Sequence, residues 1–355
     1  MARTASGSGL SPRRKFGVAI VCVWAALVTG MSATARDAVA RRPHSESRVE
    51  LQKLVDEAHA KFKGVQDGKN ADYIPALAKV PSQLFGVVIV TADGKVVSAG
   101  DVDYTFSIQS VSKPFTMARV MDQQGYEAIR DKIGVEPTGL PFNSKLALEL
   151  YKGRSVNPLV NAGAIAVVSL LPARNEAERT QMAIDNLGQF AGVPLSVLTD
   201  VYQSEYSSAW GNRAIANLLY NYQRLYSDPE EALRVYTAQC SVGVTTRNLG
   251  VMGATLANGG VNPLTKKRVV KAEIVDEVLA VMLTAGFYDE SGRWAAEAGL
   301  PAKTGVGGGI VAVVPGRLAI ASFSPPVNEA GNSVRAQLAI KFIASELGAS
   351  IFIGR

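Results

Sequence analysis

Apolar runs of strand length stand at opposite ends of this chain. LFGVVIV occupies 84–90, while GIVAVV and RLAIASF occupy 309–314 and 317–323. Each is bounded by turn residues: Asp93-Gly94 follows the first, and Pro315-Gly316 divides the other two. A lone hairpin is barely stable in water, so runs this far apart must meet in one antiparallel sheet. A further short strand is expected over 104–108. Between the two ends, from about 115 to 280, the period changes. Segments 145–151, 177–191, 214–226 and 273–285 carry apolar residues at helical spacing. Thr245 can cap a helix that runs to Ala257, with Asn258-Gly259-Gly260 as its stop. Two amphipathic helices flank the whole. One follows Ser45 or Ser47 and carries Leu51, Leu54, Val55, Ala58 and Phe62; the other spans 334–347. The class expected is mixed α/β of the α+β kind, an antiparallel sheet flanked by helices plus a helical subdomain. The sheet part covers 45–114 and 295–355, the helical part 115–294, all within one domain over 41–355. A site would lie in the cleft between the parts.

The first 40 residues read differently. Arg13-Arg14-Lys15 precedes FGVAIVCVWAALV at 16–28, followed by Ala33-Thr34-Ala35 and Ala38-Val39-Ala40. Basic, apolar and small-residue regions in that order make a secretory signal layout, and the run is short for a membrane span. Arg13-Arg14-Lys15-Phe16 resembles a twin-arginine signal. The expectation is an exported, periplasmic protein with no membrane attachment once the leader is removed. The alternatives are an uncleaved anchor, or a cytoplasmic chain whose start is misassigned. The leader holds four uncompensated basic residues, Arg3, Arg13, Arg14 and Lys15, so the net charge of +6 falls to +2 without it. That balance carries no sign of a nucleic-acid partner. Of two cysteines, Cys22 lies in the leader, which leaves Cys240 unpaired. It reads as a small buried hydrophobe.

FSIQSVSKPF at 106–115 places Ser110 three residues ahead of Lys113, where strand gives way to helix. The chain has only two histidines, His44 and His59, both near the N-terminus. A Ser-His-Asp triad therefore lacks its base, and a histidine-rich zinc site lacks its ligands. Lys113 lies one helical turn from Ser110 and can serve instead, once burial lowers its pKa. Pro301-Ala302-Lys303-Thr304-Gly305 supplies a K-T-G just before a glycine-rich turn and a strand. S-x-x-K and K-T-G occur together in β-lactamases and penicillin-binding proteins. On that reading Lys303 puts a second positive charge at the cleft, holding Lys113 neutral and attracting a carboxylate. A phosphate-binding loop at 305–309 is disfavoured, because a β-type run follows it rather than a helix.

Further motifs follow in order: NPLVNAGAI at 157–165, Ser204-Glu205, Gly211-Asn212, YTAQCS at 236–241, GFYDESG at 286–292 and PAKTGVGGGI at 301–310. With FSIQSVSK they resemble the serine-dependent glutaminases, and the likeness extends from about residue 50 to the end. The resemblance implies a β-lactamase-like fold and hydrolysis of L-glutamine to glutamate and ammonia, with no metal or cofactor, by a homodimer or homotetramer. It implies Ser110 as nucleophile and Lys113 as its proton partner. Asn161, Glu205, Asn212, Tyr236 and Tyr288 would contact the substrate, Val306 would offer its backbone N–H, and Tyr236 or Tyr288 would share in proton transfer. Glu205 suits the substrate ammonium, and the asparagines can both donate and accept. Each residue also has a plain structural reading: a turn for Asn161, a solvated charge for Glu205, a helix cap for Asn212, core aromatics for the tyrosines. Two rivals stand beside the glutaminase. One is a penicillin-recognising hydrolase, for which Ser155-Val156-Asn157 offers only an S-x-N. The other is a non-catalytic amide sensor.

Overall fold

A computed structural model describes residues 48–353. The leader, His44, Ser45 and Ser47 lie outside them. Seven strands are present among the described residues: β1 (Gly86–Thr91), β2 (Val96–Gly100), β3 (Phe106–Ser107), β4 (Gly243–Val244), β5 (Ala302–Thr304), β6 (Gly309–Val314) and β7 (Leu318–Phe323). Five of them form one sheet in the order β2-β1-β7-β6-β5, antiparallel throughout. The central pair joins the two ends of the chain, with Val88 opposite Ala321 and Ile89 opposite Ile320.

The alternation along β1 divides the molecule. Val87 and Ile89 face a core built with Leu51, Val55 and Ala58 of helix Arg48–Phe62 and with Ala339, Ile340 and Ile343 of helix Val334–Glu346. Val88 and Val90 face the other way, onto Val251 and Ala254 of helix Thr246–Ala257. Side chains on a strand alternate faces, and β1 buries both. Thr245 caps that last helix through a reciprocal pair with Asn248, and Asn258 ends it. Beyond it lies the largest core, formed mainly by the helical block.

The structure redraws some expected boundaries. The strand expected over 104–108 is only Phe106–Ser107, and it pairs with β4 in a separate ribbon. The reason lies at Gln109, whose φ of +50° turns the chain away from the strand. Helix Thr246–Ala257 falls within the 115–294 stretch yet packs on the sheet. The segment at 214–226 is helix Trp210–Asn221, and 273–285 is a 3-10 turn followed by helix Val275–Ala285. Three helices that the spacing did not mark, Asn161–Ser169, Thr199–Ser207 and Pro229–Cys240, carry candidate site residues. Asn161–Ser169 is buried on every side, so it shows no polar face to read. Among the described residues no helix is long and apolar enough to cross a membrane.

Candidate active site

Ser110 sits in a 3-10 turn, Gln109–Ser112, that leads into helix Lys113–Gln124. Pro114 falls in the first turn of that helix, where its missing N–H costs nothing. The strained backbone at Gln109 turns Ser110 onto a cavity of about 180 Å³. Asn161, Glu205, Asn212, Tyr236 and Val306 line the same cavity.

Lys113 lies one turn further on and is almost wholly buried. Its Nζ donates to Asn161 Oδ1 at 2.8 Å and to the Leu159 carbonyl at 3.4 Å. The Tyr236 hydroxyl donates to the same Asn161 oxygen at 3.1 Å, and Asn161 Nδ2 donates to Asn212 Oδ1 at 2.9 Å. Burial pushes the Lys113 amine down to about 8, against the opposing pull of Cys240 and Glu205. At pH 7 roughly a tenth of this lysine is the free amine that a base must be, and half is at about pH 8.

Glu205 is buried at the end of helix Thr199–Ser207. Its Oε2 accepts from the neutral amide of Gln109 at 3.0 Å. Burial pushes the carboxyl up to about 7, opposed by that hydrogen bond and by Lys113. A buried carboxylate whose hydrogen-bond partner is neutral favours a cation beside it.

Tyr288 packs behind Phe142, which lines the cavity. It opens a 3-10 turn with φ of +58°, its ring packs on Phe142 at 4.6 Å between centroids, and its hydroxyl donates to the Thr304 carbonyl at 3.4 Å. Burial raises the Tyr288 and Tyr236 phenols above their ordinary range. Val306 follows Gly305 on the connection from β5 to β6. A Cβ at Gly305 would lie 3.1 Å from the Ile108 carbonyl, and one at Gly307 would lie 2.7 Å from that of Ser107. Only glycine lets this backbone lie against the nucleophile turn, which brings Val306 to the cavity beside Ser110. Six of the eight residues named from the sequence thus line one cavity, while Lys113 touches it through Asn161 and Tyr288 through Phe142.

The glutaminase family model matches residues 68–352. A glutaminase of Colwellia psychrerythraea is 56% identical over 302 residues, which cover 85% of this chain and 97% of that one. Glutaminase 1 of Escherichia coli K12 is 52% identical over 304 residues, covering 86% and 98%. The chain belongs to the glutaminase family. Among solved structures, one described as a probable glutaminase superposes with a TM-score of 0.86 at 51% identity, covering 87% of this chain and 100% of that one. Mglu in its glutamate form superposes with a TM-score of 0.82 at 37% identity, covering 87% and 71%. The fold is the β-lactamase-like one of these glutaminases.

One expectation for this glutaminase needs correction. Lys303 does not present its charge to the cleft. It is fully buried on β5, and its Nζ donates to the carbonyls of Thr304 at 2.6 Å and Gly286 at 3.1 Å. The lysine that lines the cavity is Lys145, exposed beside Asn143 and Gly211. Cys240 is buried, and burial raises its thiol to about 12, so it stays protonated. His59 stacks on Phe85 at 5.0 Å between centroids, a packing role.

Among the lining residues of the glutaminase site that sequence reasoning missed are Tyr73, Lys145 and Gln109. Gln109 stood inside the quoted serine motif, and its place next to the nucleophile was the available signal. Tyr73 follows Asn70-Ala71-Asp72 in a polar stretch with no periodicity to mark it.

Proposed function

We propose that this glutaminase works through a γ-glutamyl ester on Ser110, with Lys113 as the base. The reaction, glutamine to glutamate, follows from family membership at 50–56% identity over most of the chain. The observation that carries the mechanism is the buried Lys113 amine, held down to about 8 one turn from Ser110. Lys113 takes the Ser110 proton as Oγ bonds to the side-chain carbonyl carbon. The carbon–nitrogen bond then breaks, and nitrogen leaves as ammonia with that proton. Tyr288, whose hydroxyl donates to the Thr304 carbonyl of the K-T-G, is the candidate to pass the proton. Tyr236 shares the Asn161 oxygen with Lys113 and orients both. Water then hydrolyses the ester to glutamate and restores Ser110. The N–H groups of Ser110 and Val306 hold the oxyanion. At the other end Glu205 takes the substrate ammonium, while Asn161 and Asn212 orient the amino acid. Lys145 at the cavity wall supplies a cation for the α-carboxylate.

The cavity weighs against the penicillin-recognising rival. Its 180 Å³ suits one small amino acid, below the roughly 300–1,000 Å³ of pockets for drug-sized ligands. Asn157 is also spent on backbone: its Oδ1 accepts from Leu159 and Val160 N–H, and its Nδ2 donates to the Glu136 carbonyl. The test is ammonia release from L-glutamine and L-asparagine in parallel, with a chromogenic β-lactam beside them. Glutamine turnover is expected. A stable β-lactam adduct without ammonia would overturn the reading, and substrate binding without turnover would support the sensor instead.

The oligomer and compartment belong to the same proposal. Leu146, Leu150, Tyr151, Trp210 and Tyr220 expose large apolar surface on two neighbouring helices, joined where Tyr222 donates to Glu149 at 2.7 Å. A second copy covering that surface would give the dimer or tetramer, which light scattering would reveal. Export rests on the signal layout of the first 40 residues, and fractionation of cells tests it.

A further inference from the structure

Lys303 is fully buried and has no part in the proposed chemistry. Its surroundings concern Tyr288. The Thr304 carbonyl receives two donors, Lys303 Nζ at 2.6 Å and the Tyr288 hydroxyl at 3.4 Å. The lysine is the close partner and the phenol the distant one. The same Nζ holds the Gly286 carbonyl at 3.1 Å, two residues before Tyr288. It also stands 4.1 Å from the centroid of the Tyr288 ring. Tyr288 itself sits at φ +58°, a conformation a side chain of its size rarely adopts unless the surroundings hold it. Without the lysine, the Thr304 carbonyl that receives the phenol is free to shift, and the turn is free to relax.

We infer that Lys303 is a positioning residue for Tyr288, clipping the Gly286 and Thr304 carbonyls on which the Tyr288 turn and hydroxyl rest. The inference rests on the reading in which Tyr288 serves the Ser110 chemistry. It gives the K-T-G lysine a task from beneath the site rather than from within the cleft. Burial and the nearby Lys113 hold the Lys303 amine well below its ordinary range. The clip survives in either protonation state, because even the neutral amine carries two hydrogens for two carbonyls.

The test is a double-mutant cycle on the full chain, using Lys303→Met, Tyr288→Phe and the pair, with kcat, KM and thermal melting measured for each. Lys303→Met is expected to lower kcat on the order of a hundredfold, as a displaced catalytic group does, with KM little changed. Adding it to Tyr288→Phe should cost almost nothing more, since the two act as one unit. If Lys303→Met does not fold, Lys303→Gln takes its place in the same cycle, being smaller and keeping a donor for one carbonyl. Losses that multiply, or a Lys303 variant that raises KM while sparing kcat, would overturn the inference and leave Tyr288 its role. A Tyr288→Phe enzyme at full rate would instead remove the role of Tyr288, and the inference with it.

Discussion

The Lys113 amine donates to Asn161 Oδ1 at 2.8 Å, so the proposed base for Ser110 rests on a neutral side chain. A carboxylate there would stabilise the ammonium and take the base away. Asn161→Asp is therefore expected to slow turnover by at least about tenfold near neutral pH, since each pKa unit gained by Lys113 removes that factor of free amine. In the parent enzyme kcat/KM should rise with pH through about 8, where Lys113 of the free enzyme loses its proton. In the variant the rising limb moves to higher pH. A pH–rate profile of both checks the direction.

Glu205 is held at about 7 by burial, above the ordinary carboxyl value of 4.5. A group whose folded pKa is raised favours folding in its protonated form. Its contribution is full below 4.5 and is lost as pH rises through 7. Glu205→Gln is expected to stabilise the free enzyme at pH 8 by roughly 1–3 kcal/mol, while raising KM steeply because the substrate ammonium loses its partner. Denaturant melts at pH 5 and pH 8, with kinetics on the same preparation, test both halves. The stabilisation should shrink to a small fraction of itself at the lower pH.

Gly163 packs where no side chain fits. A Cβ there would lie 1.8 Å from the Asn157 carbonyl. Gly163→Ala must push the first turn of helix Asn161–Ser169 away from the loop before it, and Asn161 moves with it. The expected cost is about 1–3 kcal/mol of stability, with most activity lost. Thermal melting and ammonia release measure the two effects separately.

The parts of this molecule that follow from local pattern could be read directly. The β1–β2 hairpin announces itself by Asp93-Gly94, and helix Thr246–Ala257 by its Thr245 cap. β5 is three residues long, too short for any period, and was legible only through the K-T-G it carries. Helix Asn161–Ser169 hides because its whole circumference is buried. The Ser110–Lys113 pair was legible because it is local, one turn of one helix. The substrate residues come from separate helices and loops, and their order along the chain showed them only through resemblance to a family. Lys303 was misplaced for a physical reason: spacing gives the strand, but the face it presents depends on which carbonyls wait beneath it.

The most direct test of the Ser110 ester is to quench the enzyme during turnover of L-glutamine and weigh the intact chain, then its peptides. The account predicts a γ-glutamyl increment on the peptide holding Ser110, absent from Ser110→Ala, which should release no ammonia while still binding glutamate. Turnover by Ser110→Ala, or an increment on any other residue, would contradict it.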